Sequence, residues 1–225
     1  KGINYKKMVE DLTHIVFYKD EENLTDGQKE IKKDIPDFEQ YSEYARGALF
    51  FGYRYLTDSS NRHQVEAFYQ LSVLTENDPQ RNEFYFTGHV GKRENINPQI
   101  GVISNGIKSA VYENNSKDDV VFHSHPDEYP LSFNGQFVKK GKEKYIDGRA
   151  GDLGASSLSG NNLFVITPNG DIYFTTPKLA EFGIAHSTKS SRFFGTGMLG
   201  QVYLGNISQY RRNMGRKKWK KFSQV

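Results

Sequence analysis

The chain has 225 residues, a formal charge of +3 and no cysteine, and is 36% hydrophobic, 14% aromatic and 25% charged. That is enough apolar material for a sizeable core, and it excludes a disordered chain, a disulfide scaffold and a zinc–thiolate site, so any metal must be held by His, Asp or Glu. No apolar run approaches the roughly 18 residues that would cross a bilayer, and no secretory h-region is visible near Lys1.

Residues 1–60 read as mostly helical. Phe38, Tyr41, Tyr44 or Ala45, Ala48 and Leu49 recur at helical intervals, which predicts a helix over 38–56 with Asp37 as N-cap. Residues 19–34 read as a solvated linker or helix. After Ser59-Ser60-Asn61 the pattern reads as β, with strands predicted in VEAFYQLSVL (65–74), EFYFTGHV (83–90), IGVIS (100–104), SAVYE (109–113) and DVVFHSH (119–125). A Gly- and Lys-rich segment at 127–150 reads as flexible, a lid or rail for a substrate. GDLGASS (151–157) predicts a helix start with Asp152 in its first turn. LFVITPNGDIYFTT (163–176) predicts a hairpin turning at Asn169-Gly170.

The reading divides the chain into a helical N-terminal extension (1–60), a mixed α/β core (61–177) and a C-terminal extension (178–225). The formal GxGxxG at 195–200 has no clear strand before it and no obvious helix after it, so it reads as a Gly-rich turn rather than a dinucleotide site. Residues 211–225 carry seven basic side chains and no acidic one, while the rest is mildly acidic. A solvated end, or a contact with nucleic acid or an acidic partner, are the two readings of that tail.

The histidines of VVFHSHPDEYP (120–130) are the chemical signal. Residues i and i+2 of a strand share a face, so His123 and His125 aim two imidazoles at one point, and Pro126 ends the strand. Two neutral nitrogens suit Zn²⁺, which needs a third protein ligand and an open position. Asp152, at a helix start among small residues, is the candidate third ligand, with Asp147 competing.

HxHP followed by an Asp at a helix start resembles the signature of the JAMM/MPN metalloproteases. VEAFYQLSVL is similar to the Glu-bearing strand of the RadC-like branch, and the order Glu, HxHP, Asp, hairpin resembles the JAB-like toxins of bacterial polymorphic systems. The resemblance covers about 61–177. It implies an α/β (α+β) fold, a cytidine-deaminase-like JAB/MPN core of mixed sheet and flanking helices, with His123, His125 and Asp152 holding Zn²⁺ and Glu66 activating the water. The family pattern H-x-H-x7-S-x2-D places ten residues between the second His and the Asp. Here residues 126–151 intervene, 16 more, and Arg149 stands where the family has an oxyanion-stabilising Ser. Ser132 takes that role if the insertion follows it; otherwise Arg149 supplies the charge.

The expected activity is hydrolysis of a peptide or isopeptide bond by a bacterial toxin or effector domain. It would be delivered to a target cytoplasm, or else be cytoplasmic, with a protein substrate and an immunity protein as partners. The alternatives are an inactive JAB/MPN-like binding module and a binder of nucleic acid through the basic tail.

Overall fold

A computed structural model describes residues 2–18, 20–89, 101–103, 119–140, 143–187, 192, 193 and 195–213. Four helices open the chain: α1 (Tyr5–Phe17), α2 (Asp26–Asp34), α3 (Phe38–Thr57) and α4 (Arg62–Glu76). Strands β1 (Glu83–His89), β2 (Gly101–Ile103) and β3 (Asp119–Ser124) follow, then β4 (Asn134–Lys140) and β5 (Glu143–Ala150). The rest comprises α5 (Asp152–Ser159), β6 (Asn162–Ile166), β7 (Asp171–Thr175), α6 (Pro177–His186), β8 (Val202–Asn206) and α7 (Ile207–Asn213). Six strands form one mixed sheet in the order β2-β1-β3-β6-β7-β8, and β4 and β5 form a separate two-stranded ribbon. Within the main sheet only β3 and β6 pair in parallel. The fold is therefore mixed α/β of the α+β kind. No helix of the described residues is long and apolar enough to cross a membrane.

Register explains how the sheet separates core from site. Phe86, Phe122, Phe164 and Phe174 stand opposite one another on successive strands, so their rings share one face. Ring centroids are 4.6 Å apart from Phe86 to Phe122, 4.8 Å from Phe122 to Phe164 and 4.3 Å from Phe164 to Phe174. Helices α3 and α4 close over this rank through Phe51, Tyr55 and Phe68. Phe122→Ala is expected to lower stability by about 3–5 kcal/mol, read by denaturant unfolding; a loss well under 1 kcal/mol would mean that the rank is not the core.

The next row along the strands, Tyr85, His123, Val165, Tyr173 and Tyr203, presents the opposite face. Helix α1 lies along β8: the Tyr203 N–H donates to the Thr13 hydroxyl at 2.9 Å, and Lys6 pairs with the buried Asp171 at 2.7 Å. The hydrophobic core runs through all three stretches of chain, from Val9 and Leu12 through Phe122 to Leu199 and Tyr210.

The helix at 38–56, the helix start at Asp152 and the hairpin at 163–176 form as expected, the last closed by a Gly170 N–H to Thr167 carbonyl bond of 2.8 Å. Asp37 occupies the N-cap position of α3 in a left-handed conformation (φ 44°) and makes no side-chain capping bond. The largest correction concerns VEAFYQLSVL, which is the body of α4 and not a strand. Its buried residues Val65, Phe68, Leu71, Ser72 and Thr75 follow a helical period, and burial of that face outweighs the β preference of its Val, Phe and Tyr. Segment 127–150 is also more ordered than its composition implies, since most of it is the β4–β5 ribbon. The GxGxxG segment is a turn ending in a short 3₁₀ helix, Met198–Gly200. SAVYE and the basic stretch from 214 onward lie outside the described residues.

Candidate metal centre

Strand β3 carries His123, and its ladder continues one step past its end, where the His125 N–H donates to the Ile166 carbonyl at 3.0 Å. Both imidazoles are buried, His123 at 0% and His125 at 5% exposure. Each ring is fixed by its Nδ1, which lies 2.7 Å from a backbone carbonyl: Phe164 for His123 and Tyr129 for His125. A carbonyl oxygen only accepts, so Nδ1 carries the hydrogen and Nε2 of each ring is left as the metal-facing atom. The two Nε2 atoms are 3.2 Å apart.

Asp152 completes the group from the first turn of α5, where the helix dipole favours a carboxylate. Its Oδ1 is 3.2 Å from His123 Nε2 and its Oδ2 is 3.0 Å from His125 Nε2. Ser132 holds it there: the Ser132 N–H and hydroxyl donate to Asp152 Oδ2 at 2.7 and 2.9 Å, and the Asp152 N–H returns to the hydroxyl at 3.1 Å. Among the described residues, His123, His125 and Asp152 form a group that could hold a metal ion. The fit is geometric as well as chemical. Ligand bonds of about 2.0–2.1 Å in a tetrahedron give edges of roughly 3.3 Å, close to the 3.2 Å between the two Nε2 atoms and to the 3.2 and 3.0 Å from each Nε2 to a different oxygen of the Asp152 carboxylate.

Glu83 borders the group. The β1–β3 register pairs Tyr85 with His123, and two further steps bring Glu83 opposite His125. Its Oε1 lies 3.9 Å from His125 Nε2, and its side chain is 23% exposed, so the cluster meets solvent on this side. Burial raises the Glu83 pKa, opposed by the charges of His125 and His123.

No family model, curated protein or solved structure matched the chain in the comparisons made.

The structure brings together His123, His125, Asp152 and Ser132. The Ser132 hydroxyl, expected to face an oxyanion, is instead engaged with Asp152 and supports the ligand. Glu66 does not join them. It lies on α4, where Arg211 of α7 meets its carboxylate at 3.2 and 3.3 Å while stacking 3.6 Å above Tyr69. The segment that carries it is a helix packed behind the sheet, against the face that bears Phe122 and opposite the one that bears His123. Glu83 is the glutamate that sequence reasoning missed. The available signal was its place at the head of the predicted strand 83–90, upstream of the histidines. Asp147 and Arg149 fall in β5, where side chains lie outside the described residues.

Protonation of these side chains competes with metal binding. Burial of His125 opposes its charging, but the charge and hydrogen bond of Asp152, with Glu83 and the Tyr129 carbonyl, prevail and raise its pKa to about 9. Asp152 is held well below the usual range: burial opposes this, and the two histidines outweigh it. A histidine pKa raised on folding stabilises the metal-free chain fully below about 6.5, and that contribution is lost as pH rises through about 9. A metal ion must displace this proton. Its affinity is expected to rise about tenfold per pH unit up to pH about 9 and then level off. Chelator competition across that range checks this, and a pH-independent affinity would contradict it.

Proposed function

We propose that the chain is a zinc-dependent hydrolase of peptide or isopeptide bonds, of the JAMM type, in which Glu83 is the proton-transferring base. The observation that carries this reading is the convergence of His123, His125 and Asp152 within 3.0–3.2 Å, with Glu83 at the solvent-facing rim. Two imidazoles and one carboxylate leave a tetrahedral ion one ligand short, a donor set that suits a catalytic Zn²⁺ better than a closed structural site. The resemblance in HSHP and the helix-start Asp supports the same reading, with Glu83 now in the role first given to Glu66.

A bound divalent ion supplies Lewis acidity, polarising a carbonyl oxygen and bringing the pKa of a water toward ~7. His123 and His125, their Nδ1 atoms tied to backbone carbonyls, present Nε2 in fixed directions. Asp152, held by Ser132, contributes the negative charge. Glu83 Oε1 accepts the proton of the attacking water as its oxygen bonds to the carbonyl carbon. It then returns the proton to the amine nitrogen as the C–N bond breaks, releasing a carboxylate and an amine.

The test is hydrolysis of a fluorogenic peptide library and of isopeptide-linked lysine substrates. The wild-type chain should act with zinc, stop with chelator and recover when zinc is restored. A chain that takes up zinc but cleaves neither set would contradict the catalytic reading.

A further inference from the structure

The segment Gly195-Thr196-Gly197-Met198-Leu199-Gly200-Gln201 has no part in the chemistry above, yet it packs against the residue after Asp152 and against both neighbours of the Ser132 that holds it. Gln201 is fully buried. Its side-chain amide bonds the backbone of Leu131 twice, as a neighbouring strand would: the Leu131 N–H donates to Oε1 at 2.8 Å, and Nε2 donates to the Leu131 carbonyl at 2.9 Å. Leu131 precedes Ser132, whose N–H and hydroxyl carry Asp152.

The glycines complete the seat. A Cβ on Gly197 would stand 2.3 Å from the Cβ of Phe133, the residue after Ser132, and φ there is +69°. A Cβ on Gly200 would stand 2.6 Å from Leu153 Cδ1, the residue after Asp152. The Leu153 N–H also donates to the Ser132 carbonyl at 3.2 Å. The residues on either side of Ser132, and the residue after Asp152, thus rest on one short turn from a distant part of the chain.

We propose that this turn positions the metal centre, with Gln201 as the positioning residue that sets Ser132 and, through it, Asp152. The inference rests on the metal reading. Gln201 touches neither metal nor substrate. It fixes the backbone from which the Asp152 support is built, the kind of outer contact whose loss weakens metal sites.

Zinc affinity by chelator competition and the Co²⁺ absorption spectrum are measured on the full chain. The variants are Gln201→Ala, Gln201→Glu, which removes the donor to the Leu131 carbonyl, and Gly200→Ala, with Gln28→Ala as control. Gln28 is also buried and hydrogen-bonded, to Asp11 and Thr25 of the N-terminal region. The Gln201 and Gly200 variants are expected to bind zinc about 10–100-fold more weakly and to alter the Co²⁺ bands, while Gln28→Ala lowers the melting temperature alone. Variants that bind as tightly as the wild type, or a control that weakens binding equally, would overturn the proposal. Should the Gln201 variants not fold, amide exchange in the wild-type chain decides. Zinc should then increase protection at Leu131 and Ser132, because coupling between sites is reciprocal, and unchanged protection there would overturn it. A wild-type chain that binds no zinc removes the metal reading and this proposal together. Tight binding by wild type and variants alike removes only the proposal.

Discussion

Glu83→Gln is expected to lower the hydrolysis rate by about 10²–10⁴-fold, the usual worth of a positioned general base, while zinc content stays at about one per chain. On the proposed reading the carboxylate acts beside the ligands without being one of them, and its 3.9 Å from His125 Nε2 is the spacing of a neighbour of the cluster. The amide keeps the shape and removes the basicity. Glu66→Gln is the matched control. It breaks a partly exposed pair with Arg211, worth about 0.2–1 kcal/mol, and should leave the rate alone. Rates and metal content measured together separate the outcomes. An unaffected Glu83→Gln rate would remove Glu83 from the chemistry, and loss of zinc in that variant would make it a fourth ligand.

His123→Ala is expected to take zinc from about one per chain to none detectable, weakening binding by more than the 10–100-fold that follows loss of an outer contact. His123 supplies one corner of the ligand triangle, and its Nδ1–H satisfies the Phe164 carbonyl at the centre of the sheet. The substitution therefore opens the site and also removes a buried hydrogen bond, worth about 0.5–1.5 kcal/mol. His125→Ala should lose metal in the same way. His14→Ala, which removes a ring bonded to the exposed Asn23 carbonyl, should lose none. Metal analysis after dialysis decides, and a His123→Ala chain that still holds a full equivalent of zinc would refute the ligand set.

The parts of the site that could be read from sequence were those written locally. Two histidines at period two, a proline stop and an aspartate opening a helix of small residues are each visible within a few positions. So is the hairpin about Asn169-Gly170. What stayed hidden depends on pairing between distant strands. Glu83 becomes a candidate only once β1 is set antiparallel to β3 in its actual register. Gln201 and Leu131 are 70 residues apart, and no local pattern joins them. Val, Phe and Tyr in VEAFYQLSVL favour a strand, but the spacing of Val65, Phe68 and Ser72, continued by Thr75, is that of a helix, and it takes Glu66 with it.

The neck between Ser132 and Asp152 bears on how such a chain can change over time. Four hydrogen bonds join the two residues and their neighbour Leu153, and the β4–β5 ribbon leaves and returns through that closure. Doubling the length of a flexible loop costs only about 0.6 kcal/mol. The ribbon can therefore be lengthened, trimmed or exchanged while the ligands keep their places. The distance in sequence from His125 to Asp152 is then loosely constrained, and the contacts at the neck are what hold Asp152 beside Ser132.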